Sequence, residues 1–139
     1  MLLPLMPILF ASLVSGNGFG AADASSRPCR TLVAVTADTT VDWNVARDRS
    51  LLQWIPVRGP AYPPDLRRVG HGEVVATYVV DTTGRIVRGS TEIISESDIG
   101  FGRSVCAFLD RAKFKPAIVY GRKLSVRVFA APFQFTFGQ

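Results

Sequence analysis

Residues 72–87, GEVVATYVVDTTGRIV, constrain the fold more than any other stretch of the chain. Val74, Ala76, Tyr78 and Val80 alternate with Val75, Thr77 and Val79, and alternate residues of an extended chain project to opposite faces. Both sets are largely apolar, so a strand here needs cover on both sides. Asp81-Thr82-Thr83-Gly84 follows with turn chemistry and Ile86-Val87 resume the apolar pattern, which predicts a β-hairpin. The second strand is expected from about Arg85 to Ile94, with Gly89 as a bulge.

The period then changes. In SESDIGFGRSVCAFLDRAKFKPA, Phe101, Val105, Phe108, Leu109 and Ala112 recur at helical spacing and form one stripe, with Arg103 and Asp110 pointing away. Ser97 or Asp98 caps the start, Lys113 and Lys115 suit the C-terminal end, and Pro116 stops the helix. Tyr120-Gly121-Arg122-Lys123 reads as a turn. LSVRVFAAPFQFTF is a final strand in which Pro132 cannot donate to a ladder, so the strand should lie at an edge or break there. PPDLRRVG is a short helix candidate with Pro64 in its first turn and Gly70 at its stop. These elements make an α+β fold: a small antiparallel sheet of three or more strands with two helices on one face.

Upstream, TLVAVTADTTVDWNV carries apolar residues at Val33 and Val35 and again at Val41, Trp43 and Val45, which predicts two short extended pieces. LLQWIPVRG fits either a helical turn ended by Pro56 or extended chain covering the core with Trp54. Met1 to Ala22 contains no charged side chain, and its apolar run is too short for a comfortable span, which needs roughly 20 apolar residues. Ala22-Asp23-Ala24 supplies a small-x-small cleavage pattern, although no basic residue precedes the run. The expected organisation is 1–24 an export signal or short anchor, 25–58 a partly extended N-terminal extension, and 59–139 a folded domain.

Charge narrows the partners. The chain has 16 Lys and Arg against 11 Asp and Glu, a formal +5, and cleavage after Ala24 removes Asp23 and leaves +6. The basic residues form no dense run and do not interleave with exposed aromatics, so they read as a solvated surface, and nucleic acid is not an expected partner.

Two cysteines, Cys29 and Cys106, are present. An even count in an oxidising compartment fits a disulfide, worth roughly 4 kcal/mol for so long a loop. Two unrelated free thiols remain the other reading. A nucleophile-and-base arrangement is not supported by His71, Cys106 and Asp110, since Asp110 lies one helical turn from Cys106 and opposes a thiolate. One histidine and two distant cysteines make no metal set, and Glu92, Glu96 and Asp98 serve the helix N-terminus. The reading is no enzyme, no cofactor and no metal.

Four pieces in order, GPAYPPDLRR, GEVVATYVVDTTGR, FGRSVCAFLDRAKFKPA and VFAAPFQFTF, resemble the proline-tyrosine-proline entry, first hairpin, amphipathic helix and last strand of the TonB C-terminal domain, over residues 59–138. The resemblance implies a periplasmic domain that grips outer-membrane transporters, whose TonB box adds as a strand beside the domain's last strand. It implies partner-facing positions at the edge formed by Leu124, Ser125, Val126, Arg127, Val128 and Phe129, and at the arm of Pro60, Tyr62 and Pro63. A full energy transducer also carries a membrane helix with a histidine and a long proline-rich linker. Here the only histidine is His71, and residues 25–58 hold just Pro28 and Pro56. The expectation is therefore an exported protein-binding module. The sequence leaves open a complete energy transducer with a reduced inner-membrane anchor, a structural periplasmic protein stapled by Cys29 and Cys106, and a homodimer formed by strand exchange.

Overall fold

The computed structural model describes residues 29, 34–48, 51–53, 55 and 58–138. The expected signal over 1–24, and Val33, Trp54 and Pro56, lie outside the described residues. The elements are β1 (Thr39–Asp42), α1 (Trp43–Asp48), a 3-10 turn (Pro64–Leu66), β2 (His71–Val80), β3 (Glu92–Glu96), α2 (Ile99–Leu109), β4 (Ala117–Val119), β5 (Arg122–Leu124) and β6 (Val126–Thr136). A four-stranded sheet has the order β1-β6-β2-β3, and β4 and β5 form a separate two-stranded ribbon. The architecture is α+β as expected. The main sheet is mixed, because β1 runs parallel to β6 while the other pairs are antiparallel.

The β2–β6 pair is the spine of the sheet, in register from His71↔Thr136 to Val80↔Val126. Val74, Ala76, Tyr78 and Val80 are buried on one face, as the alternation requires. They meet Val126, Val128, Ala131, Phe133 and Phe135 of β6, and the stripe Phe101, Val105, Phe108 and Leu109 of α2 covers them. Burying each such large side chain contributes about 1.5–3 kcal/mol. Leu52, Phe114 and Ala117 close the same core.

The turn after β2 follows its sequence chemistry. Gly84 N–H donates to the Asp81 carbonyl at 3.0 Å, and the Asp81 carboxylate accepts from Thr83 N–H at 2.8 Å, Thr83 Oγ1 at 2.6 Å and Arg85 N–H at 3.1 Å. Burial pushes that carboxyl up, but these bonds outweigh it and hold the group below its ordinary value.

Several local expectations change. The second strand does not run from Arg85: Arg85 and Ile86 make only isolated bridges, and regular pairing starts at Glu92. Between them Gly89 takes φ +80 and Ser90 Oγ accepts the Val79 N–H at 3.0 Å, so a side chain replaces a ladder bond. The bulge against β3 falls between Val75 and Ala76 instead. Helix α2, capped by Asp98 accepting from Gly100 N–H at 2.8 Å, ends at Leu109 rather than Pro116. The chain is drawn away because Phe114 N–H bonds to the Gly84 carbonyl at 2.8 Å and Lys113 bridges Arg85.

PPDLRRVG forms a single 3-10 turn and not an α-helix, and Val41-Trp43-Val45 is not one extended piece. Asp42 ends β1 and starts α1, its carboxylate accepting the Asn44 N–H at 2.8 Å. The final strand neither breaks at Pro132 nor lies wholly at an edge. Phe137 N–H donates to the Gly70 carbonyl at 2.9 Å, so alternation directs Phe135 and Phe133 toward β2 and turns the nitrogen of Pro132 outward. Glu73, opposite Gln134, exchanges bonds with Ser97 on its other side, as the same alternation demands. Proline therefore removes no ladder bond.

Cys29 and Cys106 are joined in a disulfide, with Cα atoms 5.7 Å apart and a sequence separation of 77. Among the described residues, no helix is long and apolar enough to cross a membrane.

Candidate functional site

β6 has β2 along its length on one side and a divided flank on the other. Thr39, Thr40, Val41 and Asp42 of β1 pair with Val126, Arg127, Val128 and Phe129. Past that point no described strand flanks β6, and Gln134 and Thr136 direct backbone N–H and C=O groups outward, with the Pro132 carbonyl beside them. Unpaired groups of this kind are a template for another extended chain.

The two halves meet at a bulge. Ala76 pairs with Ala131 and Tyr78 with Val128, so Phe129 and Ala130 together oppose Thr77. Ala130 takes φ +56, and its N–H reaches Thr77 Oγ1 at 3.4 Å. Such a step sharpens the local twist and re-aims the strand.

The edge expected over Leu124–Phe129 is thus not open. Leu124 belongs to β5 and pairs with Ala117. Val126 and Val128 turn their side chains into the core, Arg127 is half-buried and Phe129 is exposed. At Ser125 the leading segment is held by a reciprocal set of bonds. Asp38 N–H donates to the Ser125 carbonyl at 3.1 Å and to its Oγ at 3.0 Å, and Thr39 N–H shares that carbonyl at 3.3 Å. In return, Ser125 N–H and Oγ donate to the Asp38 carboxylate at 2.8 and 3.1 Å. The Ser125 N–H, then its hydroxyl, and Arg122 beyond them hold this carboxyl below its ordinary value. Just upstream, the Arg127 guanidinium donates to the Val35 carbonyl.

The proline-flanked arm is placed on the core. Tyr62 is half-buried, with its ring edge-on to Phe101 at 5.5 Å and to Phe135 at 6.3 Å and tilted against Phe137 at 5.3 Å. Its hydroxyl donates to the Leu66 carbonyl at 2.9 Å. Pro63 is extended at φ −63, ψ 126 and leads into the 3-10 turn. Ser104 Oγ of α2 donates to the Ala61 carbonyl, which fixes the arm from the other side. Pro60, Tyr62 and Pro63 thus lie by the far end of β6, near Phe135 and Phe137, away from the Val126–Phe129 stretch.

Of the residues weighed for catalysis, Cys106 is spent in the disulfide, while His71 and Asp110 are exposed. Among the described residues, no group of three or more His, Cys, Asp or Glu could hold a metal ion. Two features of the site are absent from the sequence reading: the end at Asp42 and the β6 pairing of the extended piece expected around Val41, and the Asp38–Ser125 pair. The signal for the first was Asp42 standing two residues before Asn44, a helix cap that ends an extended piece. For the second there was none, because the partners are 87 residues apart.

Comparison with known proteins sets this geometry in context. Residues 58–137, more than half the chain, match the family model of the Gram-negative bacterial TonB protein C-terminal. Among solved structures, the chain is similar to the solution NMR structure of the Pseudomonas aeruginosa TonB C-terminal domain, at 19% identity and a TM-score of 0.48, over 71% of this chain and 93% of that one. No curated protein was found to match the sequence. On the strength of the family match, this chain belongs to the TonB protein C-terminal family.

Proposed function

We propose that the chain is a periplasmic protein-binding module, not an enzyme, and that it docks extended segments of outer-membrane transporters by strand addition along β6. Family membership supports the class of function. The observation that carries the site is the asymmetry of β6, an eleven-residue strand paired throughout on one side and, among the described residues, over only its first four residues on the other. Backbone groups of Pro132, Gln134 and Thr136 supply the open acceptors and donors, so recognition needs few side-chain contacts. On this reading Tyr62, whose ring meets Phe135 and Phe137 at this end of β6, and its chain neighbours Pro60 and Pro63 offer an apolar shoulder to a peptide laid there.

The test is a titration of the isotopically labelled protein with synthetic peptides from the periplasmic plug segments of outer-membrane transporters. Amide shift changes running along β6, strongest at Gln134 and Thr136 and accompanied by new protection from hydrogen exchange, are expected. Silence along β6 at millimolar peptide, or changes confined to other strands, overturns the reading.

A further inference from the structure

Strand β1 is a weak structural element in a consequential place. It is four residues long, lies at a sheet edge and pairs parallel, the less stable arrangement per residue. Thr40 and Asp42 are exposed, and its main apolar hold is Val41, half-buried against the core. Its firmest grip is polar and sits at its leading end, where Asp38 and Ser125 exchange bonds at the surface. Elements held by few apolar contacts and exposed hydrogen bonds open locally at low cost.

β1 also covers the flank of β6 on which the docking reading rests. It shows by example what that flank accepts: an extended segment parallel to β6, a carboxylate received by the Ser125 N–H and hydroxyl, and an aliphatic side chain three residues on, at Val41. The disulfide fastens Cys29 to α2 only ten residues before Thr39. A released β1 therefore stays within about 35 Å of Cys29, since an extended chain spans at most ~3.5 Å per residue.

We propose that residues 38–42 are a resident surrogate for the partner: they close the first half of the docking flank, and an incoming acidic, β-branched extended segment replaces them by strand exchange. The inference rests on the docking function proposed above and adds to it the orientation of the segment, its chemistry and the need to displace a competitor. Where the competent state is a fraction of the population, apparent affinity falls by that fraction.

The experiment uses the full chain with its disulfide intact and a fluorescent synthetic peptide of residues 34–44, AVTADTTVDWN. Thr39→Pro removes one of the two N–H groups that bond the Ser125 carbonyl, places a ring within the short β1 ladder and leaves β2, β3, β6 and the core untouched; Asp38→Ala, which removes the carboxylate instead, is the milder second variant. Both opened variants are expected to bind the peptide at least ~10-fold more tightly than the wild type, with amide shifts over Ser125–Phe129. A peptide carrying Asn in place of Asp38 should bind several-fold more weakly. Equal binding by wild type and both variants overturns the proposal, as does failure of both folded variants to bind while the Arg127 and Phe129 amides stay as protected as in the wild type. Transporter plug peptides run in parallel separate the two readings. If they bind neither protein while the 34–44 peptide binds the opened variants, the transporter reading falls and the exchangeable flank stands.

Discussion

Replacing Tyr62 distinguishes a ring that anchors the entry arm from one held ready for a partner. Its phenol makes one part-buried hydrogen bond, to the Leu66 carbonyl at 2.9 Å, and its ring meets Phe101, Phe135 and Phe137 with centroids 5.3 to 6.3 Å away. Tyr62→Phe keeps the ring and loses the bond, at a cost of about 1 kcal/mol. Tyr62→Ala loses the ring as well. Full truncation of a core aromatic costs about 3–5 kcal/mol, and this ring is only half-buried, so about 2–3 kcal/mol is expected. In urea, with a slope of about 2 kcal/mol/M, the unfolding midpoint should fall by about 0.5 M for Phe and 1–1.5 M for Ala. Under conditions where both variants remain folded, affinity for a peptide bound along β6 should change less than about twofold for Phe. An Ala variant as stable as the wild type would refute the packing argument. A Phe variant of native stability that binds ~10-fold more weakly would show instead that the hydroxyl serves the partner.

Three further outcomes are expected. Gly84 sits at φ +86, and a Cβ there would lie 1.9 Å from the Phe114 carbonyl oxygen, whereas Gly121 at φ +75 has open space around it; Gly84→Ala should therefore cost more than about 3 kcal/mol and Gly121→Ala only about 1 kcal/mol in equilibrium denaturation, and equal costs would remove the clash from the account. Tyr78 is buried with its hydroxyl unpartnered among the described residues, and burial raises its pKa; Tyr78→Phe should stabilise the protein by about 1 kcal/mol, and destabilisation would mean that the hydroxyl has a partner. Asp38 has its folded pKa held below the ordinary 3.8, so its contribution is complete above that value and is lost as pH falls through the lower folded one; the Ser125 amide should lose protection in that window in the wild type, and an Asp38→Asn variant should show no such transition.

The hairpin and α2 were legible because each is specified within its own few residues. The period-two run over Val74–Val80, the Asp81–Gly84 turn chemistry and the Asp98 cap carry local signals that tertiary contacts confirm without altering. Boundaries set by distant groups were not legible. The end of α2 at Leu109 depends on Gly84 receiving Phe114, and the delayed start of β3 depends on Ser90 taking a Val79 amide. The flank of β6 was misread as open for the same reason, since nothing near Val126 in the sequence points to Thr39. Pro132 was a sound signal for an outward-facing nitrogen, yet it did not distinguish an edge strand from one with neighbours on both sides over part of its length.

The division of β6 bears directly on how a peptide could dock. β1 stops at Asp42, paired to Phe129, where the bulge begins and the Asp42 carboxylate turns the chain into α1. A bulge increases twist and displaces the ladder by one residue, so a strand in register with Val126–Phe129 cannot continue straight along Ala131–Thr136. The flank therefore presents two short docking segments rather than one long one. On the docking reading, a peptide engaging only Pro132–Thr136 meets no competitor among the described residues and gains few backbone bonds. One that reaches Ser125 gains more, but must either carry its own irregularity opposite Ala130 or leave residues there unpaired, and it must displace Asp38 and Val41. On that same reading, affinity and selectivity come from different halves of one strand: the open half would accept almost any extended backbone, while the closed half would admit a segment only when it replaces what β1 already provides.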